Sequence, residues 1–450
     1  MIRFKTLSTI LSILAVSLFL SLGAERGDNI YAQCVWGPDI LLSEVDGEFS
    51  NQPDIASDGN YVHVVWQDYK DIGGQIHTSR IWYRNSDDSG VTWSNMKVIT
   101  PKNSTGDFHE PRIAVSGKNI HVVFIGLDIV GGDMVSAVYY IQSTNNGRSW
   151  SKPLMLNMLG PFYYEAWYPD ISVSGNTVHA VWVDDREGDD AFHVYYKRSM
   201  DNGKTWDDGD DNPSNDNADH SKKISAGTTD FLYPAITSYG ENVHAVWQWE
   251  WSKVYYSGSL NNGATWSEPV IISEPGSRYP DVIAYENIVH IVWEDDRHLI
   301  EEECNSEIYY QRSMDDGLTW EPARRLTEMS MWSLDPRIDL YGNQIGIIWK
   351  DERDSPLDCG IIGPVPMGEI YYKRSIDGGV TWDDGDDDPG NDNADHTKRL
   401  SEIDESGGDG KAISVETQFT HVVFDDVRYD RPDPSDIFVK DVFYKQRSCP

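Results

Sequence analysis

The chain has 450 residues, with 74 Asp and Glu against 37 Lys and Arg, a formal net charge of −37 and 12% aromatic side chains. That charge opposes nucleic-acid phosphates and anionic membrane surfaces as partners. It is compatible with cation binding, solubility or a saline medium, and does not separate them.

In chain order, Arg3 and Lys5 precede an uncharged run over residues 6–24 that is rich in Leu, Ile and Ser. This reads as a secretory signal over residues 1–32, cleaved after Ala24 or Ala32. The alternative is an uncleaved anchor, because the run is close to spanning length. No later stretch could span a membrane, so residues 33–450 form the expected mature part, read as one domain. Residues 39–43, Asp-Ile-Leu-Leu-Ser, match the strands that close later repeats, such as residues 270–273 and 399–401.

Two patterns then recur. The first is an apolar strand: Val62-His63-Val64-Val65-Trp66, with counterparts starting at Ile120, Val178, Val243, Val289, Ile345 and Thr420. The second is a strand running into a turn, clearest in residues 308–320, Ile-Tyr-Tyr-Gln-Arg-Ser-Met-Asp-Asp-Gly-Leu-Thr-Trp. Its Ser313, Asp315, Gly317, Thr319 and Trp320 recur from Ser86, Ser143, Ser199, Ser259 and Ser375. The Ser and Asp side chains can bond nearby backbone N–H groups, and the glycine supplies a positive φ. Seven strands against six turns leaves one repeat incomplete. The chain ends on a third strand, residues 442–448, so residues 40–43 are expected to add the missing fourth. The predicted fold is an all-β ring of seven four-stranded antiparallel blades with no open edge.

Four cysteines suit a secreted protein. Cys34 and Cys449 flank the predicted closure and pair with each other. Cys304 and Cys359 occupy equivalent loops and form the natural second pair. Residues 207–220 and 383–396 are a repeated acidic loop, identical at 12 of 14 positions. Alternating Asp and Asn around Gly offers the oxygen ligands that Ca²⁺ takes. The expected ligands are Asp207, Asp210, Asp211 and Asp216, and Asp383, Asp386, Asp387 and Asp392.

The Ser-x-Asp-x-Gly-x-Thr-Trp turn resembles the Asp box, or BNR repeat, of sialidase-like β-propellers. The resemblance implies that the boxes are structural and that any active site lies on the opposite, upper face. In that family an arginine triad holds a substrate carboxylate, a Tyr assisted by Glu is the nucleophile, and an Asp is the acid/base. Tyr164 and Glu165, with Asp107, are the candidates for such chemistry. The family's Arg-Ile-Pro tripeptide is absent; Pro111-Arg112-Ile113 and Pro336-Arg337-Ile338 carry Arg in another order.

Where the repeats differ, function is expected. The residue after the Pro that opens each first strand runs Asp54, Arg112, Asp170, Ala235, Asp281, Arg337, then Ala412. Opposite charges there can pair, or Arg112 and Arg337 can grip a carboxylate. Trp167, Trp249 and Trp332 lie in aromatic loops between blades that suit stacking on sugars. The reading is therefore recognition of a glycan or other cell-surface ligand. A sialidase-like hydrolase or polysaccharide lyase is the alternative, and an adhesion or structural module the third. Six histidines in the second strands and the repeated Trp-x-Asp-x-Arg motifs read as structural.

Overall fold

The computed structural model describes residues 34–46, 48–70, 78–101, 106–130, 133–157, 165–188, 191–208, 220–227, 230–250, 252–298, 305–328, 331–354, 368–384, 396–401, 410–426 and 440–449. The signal segment, Cys304 and Cys359 fall outside them.

Seven antiparallel sheets form the blades of a propeller. Their inner strands are Ser50–Asp58, Asp107–Ser116, Ala166–Ser174, Phe231–Tyr239, Ser277–Tyr285, Ser333–Tyr341 and Lys411–Val415. Inner strands of neighbouring blades pack side by side around the ring, and the seventh packs on the first. The second strands are buried along nearly their whole length, with Trp66, Trp182, Trp247, Trp293 and Trp349 among the fully buried residues. Such near-continuous apolar runs are what a sheet covered on both faces requires.

The last blade is closed by the N-terminus. Ile40 pairs with Tyr444 and Leu41 with Phe443, and a further short strand pairs Val35 with Ser448 and Trp36 with Arg447. The Cys34–Cys449 disulfide ties the same seam across 415 residues of sequence.

Each of the six turns is held by its own side chains. In the turn of blade 5, Ser313 Oγ accepts from the backbone N–H of Gly317 (2.8 Å) and donates to Asp315 Oδ1 (2.8 Å). Asp315 in turn accepts from the N–H and the hydroxyl of Thr319 (2.8 and 2.6 Å). The turn glycine is also a docking point. A Cβ on Gly317 would lie 1.9 Å from the hydroxyl of Tyr256, on the third strand of the preceding blade. The same contact joins Tyr83 to Gly147, Tyr140 to Gly203, Tyr196 to Gly263, Tyr310 to Gly379 and Tyr444 to Gly90. The turn tryptophan meets the same tyrosine edge-on, as in Tyr256–Trp320 at 4.9 Å between centroids. Each of those tyrosines also meets the Nδ1 of the histidine on its own second strand, as Tyr256 does with His244 at 2.8 Å. The six histidines are therefore packing elements, and burial pushes their pKa down to about 3 or 4. Blade 7 has no such turn, and there Trp36 of the closing segment packs edge-on against Tyr372 at 5.0 Å.

The Trp-x-Asp-x-Arg motifs also brace the blades. In blade 5, Asp295 is buried and accepts from Trp293 Nε1 (2.9 Å), Ser277 Oγ (2.9 Å) and Arg297. Arg297 lies 4.2 Å from the centroid of the Tyr309 ring. Arg353 over Tyr371 and Arg186 over Tyr195 repeat this.

Candidate functional site

The channel is built by the inner strands, and each of the first six carries an irregularity. Register shifts fall between Asn51 and Asp54, His109 and Arg112, Trp167 and Asp170, Leu232 and Ala235, Arg278 and Asp281, and Leu334 and Arg337. Inside each bulge sits an X-Pro pair whose X has a φ of 47–52°: Gln52, Glu110, Tyr168, Tyr233, Tyr279 and Asp335. A left-handed conformation is costly for such side chains and marks positions held by their surroundings. The surroundings are visible. The backbone N–H of Glu110 donates to Gln67 (3.0 Å), that of Tyr279 to Gln248 (2.9 Å), that of Asp335 to Glu294 (3.1 Å) and that of Tyr168 to Glu110 (3.0 Å).

Two tiers result. The residues after the prolines line a channel of about 330 Å³. There Asp54 accepts the N–H of Ile113 (2.7 Å), Asp170 that of Ile236 (2.7 Å) and Asp281 that of Ile338 (2.9 Å), each stitching one blade to the next. Burial raises all three carboxyls, Asp170 to about 7. The residues before the prolines line a separate mouth of about 280 Å³ above, which Arg112 and Arg337 also reach.

The mouth is asymmetric. On one side Tyr168, Tyr233 and Tyr279 form an arc, with centroids 4.2 and 4.6 Å apart. Burial raises all three phenols above their ordinary range. On the other side blade 7 replaces the X-Pro pair by Gly410 and Lys411. Lys411 pairs with Asp335 (3.0 Å), Arg337 with the same Asp335 (3.2 Å), and Lys440 with Asp425 (3.2 Å). Burial works to raise Asp335, but Arg337 and Lys411 outweigh it and hold the carboxyl below its usual range. Burial raises Glu110 against the pull of Arg112. Arg112 stands apart: its guanidinium donates to the carbonyl of Pro111 (2.9 Å) and forms no direct ion pair among the described residues, while it acts through space on Asp54, Glu110, Asp170 and Asp335.

The residues singled out in sequence distribute unevenly. Arg112 and Arg337 come together in the channel and its mouth. Arg337 forms an ion pair with Asp335, not with its ring neighbour Asp281, whose influence on it is through space, and it donates to the carbonyl of Pro336 (3.3 Å). Trp332 lies beside the mouth, in a groove between blades 5 and 6. Trp167 and Trp249 pack among Phe231, Trp247 and Tyr255, between blades 3 and 4, away from the mouth. Asp107 accepts the N–H of Ser79 (2.8 Å) and braces blades 1 and 2. Glu165 is exposed and accepts from Trp167 Nε1 (3.1 Å), while Tyr164 lies outside the described residues. Asp207 and Asp383 each accept from an arginine, Arg198 (2.9 Å) and Arg374 (2.6 Å). Asp210, Asp211, Asp216, Asp386, Asp387 and Asp392 lie outside the described residues.

The sequence reading missed the X position itself. Tyr168 adjoins Trp167 in one of the aromatic loops, but neither it nor Glu110, Tyr233, Tyr279 or Asp335 is singled out by the sequence. The available signal was the recurring X-Pro in six repeats.

No protein-family model matches the chain, and no curated protein matches it. Solved structures do. A protein of unknown function from Dyadobacter fermentans DSM 18053 is 12% identical over 93% of this chain and 99% of its own, with a TM-score of 0.50. Trypanosoma rangeli sialidase in complex with the inhibitor DANA is 10% identical over 89% of this chain and 55% of its own, with a TM-score of 0.47. Phage phi92 endosialidase is 11% identical over 92% of this chain and 69% of its own, with a TM-score of 0.48. The first likeness is one of fold. Among the described residues no helix is long and apolar enough to cross a membrane.

Proposed function

We propose that this propeller is an extracellular glycan-binding protein whose channel mouth receives a carboxylate-bearing sugar. The observation that carries the reading is Arg112, a half-buried guanidinium in the mouth that makes no direct ion pair among the described residues. A planar guanidinium in a concave, partly dry site suits bidentate capture of a carboxylate. The tyrosine arc supports it from the facing blades, since phenol rings offer an apolar face to a sugar ring and a hydroxyl to its edge. The mouth's lining sets Arg112, Arg337, Lys411 and Lys440 against Glu110, Asp335 and Asp425, a small cationic excess in an otherwise acidic protein.

Catalysis has weaker support. The three tyrosines are held as neutral phenols, and a phenol raised above its ordinary range is a poor nucleophile at neutral pH. A glycan array, probed with and without Ca²⁺, tests the proposal. Signals confined to acidic glycans and lost in Arg112→Gln are expected. Signals on neutral glycans alone, or release of a fluorogenic sialoside's reporter that Tyr168→Phe abolishes, would overturn it.

A further inference from the structure

First and third strands of a blade run in the same direction, so the turns that follow them emerge together at the end opposite the mouth. That lower face has two unlike halves. The inner strands of blades 1–3 end there on Asp58, Ser116 and Ser174, and those of blades 4–6 on Tyr239, Tyr285 and Tyr341. Tyr239 and Tyr285 lie 5.0 Å apart between centroids. Further out, the box turns of blades 4–6 expose Leu260, Met314, Leu318, Ile376 and Val380, with Leu318 76% accessible. The two sets are joined: Asn287 donates to the carbonyl of Met314, and Asn242 to Asp316 (2.7 Å). Exposed apolar surface gathered in this way marks an interaction site.

The seam between blades 4 and 5 breaks a repeated contact. Lys97 donates to the carbonyl of Gly147 (2.9 Å), Lys222 to that of Ala264 (2.8 Å) and Arg324 to that of Val380 (2.7 Å). In each case the fourth strand of one blade caps the turn of the next with a cation. Val270 holds the same register, paired with Tyr256 as Lys222 is with Tyr196. It leaves the corresponding carbonyls of Gly317 and Leu318 without that cation. Residues 222–223, 324–325 and 398–399 are all Lys or Arg, which guards an edge strand, whereas Val270 and Ile271 are exposed there.

The charge of this half selects the occupant. Residues 239–242, 260–266, 285–288, 314–320, 341–344 and 376–382 contain no Lys or Arg and carry Glu241, Glu286, Asp315, Asp316 and Asp377. The matching turns of blades 2 and 3 hold Lys118, Arg148 and Lys204. A second copy of the chain would bring like charges together, against a net charge of −37.

We propose that the lower face of blades 4–6 docks a basic polypeptide segment of a partner protein. Its Lys or Arg caps the carbonyls of Gly317 and Leu318, as Lys222 and Arg324 do at other seams, and its apolar side chains lie against Leu318 and Val270. The reading of the mouth plays no part in this inference.

Fluorescence anisotropy tests it with three short labelled peptides, alternating Lys-Leu, Lys-Ser and Glu-Leu. The Lys-Leu peptide should bind at least about tenfold tighter than either of the others. Val270→Lys, which restores the missing cap, and Leu318→Lys should each abolish that gain with no change in Tm. Val91→Lys adds the same charge at the exposed turn of blade 1 (69% accessible) and should leave the gain intact. Equal binding of the Lys-Leu and Lys-Ser peptides would overturn the proposal. So would a loss in Val91→Lys as large as in Leu318→Lys, which is generic attraction to an acidic protein. Sedimentation velocity of the parent should show a monomer. A concentration-dependent dimer that Leu318→Lys dissociates would overturn the proposal and assign the face to a second copy.

Discussion

Replacing Tyr256 by Phe removes one oxygen and leaves the ring where it packs. That oxygen contacts His244 Nδ1 (2.8 Å) and donates to the carbonyl of Asp316 (3.1 Å), two residues that belong to different blades. The imidazole is completely buried, and its Nε2 has no protein partner. Stranding a buried polar group costs about 1–3 kcal/mol, so two stranded groups put the loss at roughly 3 kcal/mol. Blade 6 provides the control. Gly346 stands where the other blades have histidine, and the hydroxyl of Tyr372 has Thr420 as its side-chain partner. Tyr372→Phe should therefore cost about 1 kcal/mol, the net worth of one neutral hydrogen bond. Urea unfolding followed by tryptophan fluorescence measures both variants in parallel. Equal losses, or a Tyr256→Phe variant within about 0.5 kcal/mol of the parent, which is surface-mutation size, would refute the inter-blade latch.

The buried histidines make a pH prediction. Burial lowers His121 to about 4, so the unfolded chain takes up its proton first, near pH 6.5. Its share of stability is intact above pH 6.5 and is lost as pH falls towards 4. Asp170 and Asp339, raised to about 7 by burial, act with the opposite sign over the same window. The test is therefore a comparison: between pH 6.5 and 4.5 a His121→Gln variant should lose about 2–3 kcal/mol less than the parent. Parallel pH profiles would contradict it. Cys34→Ser with Cys449→Ser opens a loop of 415 residues and should lower stability by about 3–5 kcal/mol, read as a drop in Tm; an unchanged Tm would show that the strand pairing alone holds the seam. For the two acidic loops we propose structural Ca²⁺. Chelator-treated protein should gain about 3 kcal/mol per loop, roughly 5 kcal/mol for the two, at a hundredfold excess over Kd, and the absence of both heat and thermal shift at millimolar Ca²⁺ would leave them as plain acidic loops.

The architecture was legible because it is repeated. Seven copies of one strand and six of one turn specify the blades, and the partial repeat at each end specifies how the ring closes. Residues 40 and 41 pair where the pattern placed them. The additional pairing of Val35 and Trp36 was not legible. Trp36 replaces an absent turn from a distant part of the chain, and no local pattern announces that.

The site was only half legible, for a physical reason. Arg112 and Arg337 were visible because they break a repeated column of the sequence. The mouth, however, is made by the residues before the prolines. Their outward aim depends on a bulge and a left-handed backbone that no propensity favours for Tyr or Glu. The same bulge fixes the height of Arg112, which lies in the channel and still reaches the mouth. Trp167 and Trp249 looked like a platform in sequence, yet they pack between blades 3 and 4. A run of aromatics does not distinguish rings that face solvent from rings that cover a core.

The role proposed for Arg112 is to receive a carboxylate in the channel mouth. The most direct measurement compares binding of one acidic glycan with that of its carboxyl-reduced counterpart, in the parent protein and in Arg112→Gln. The parent should prefer the acid by at least tenfold, a difference of about 1.4 kcal/mol, and Arg112→Gln should bind the two forms alike. Equal binding of acid and reduced glycan by the parent, or an undiminished preference in Arg112→Gln, would contradict it.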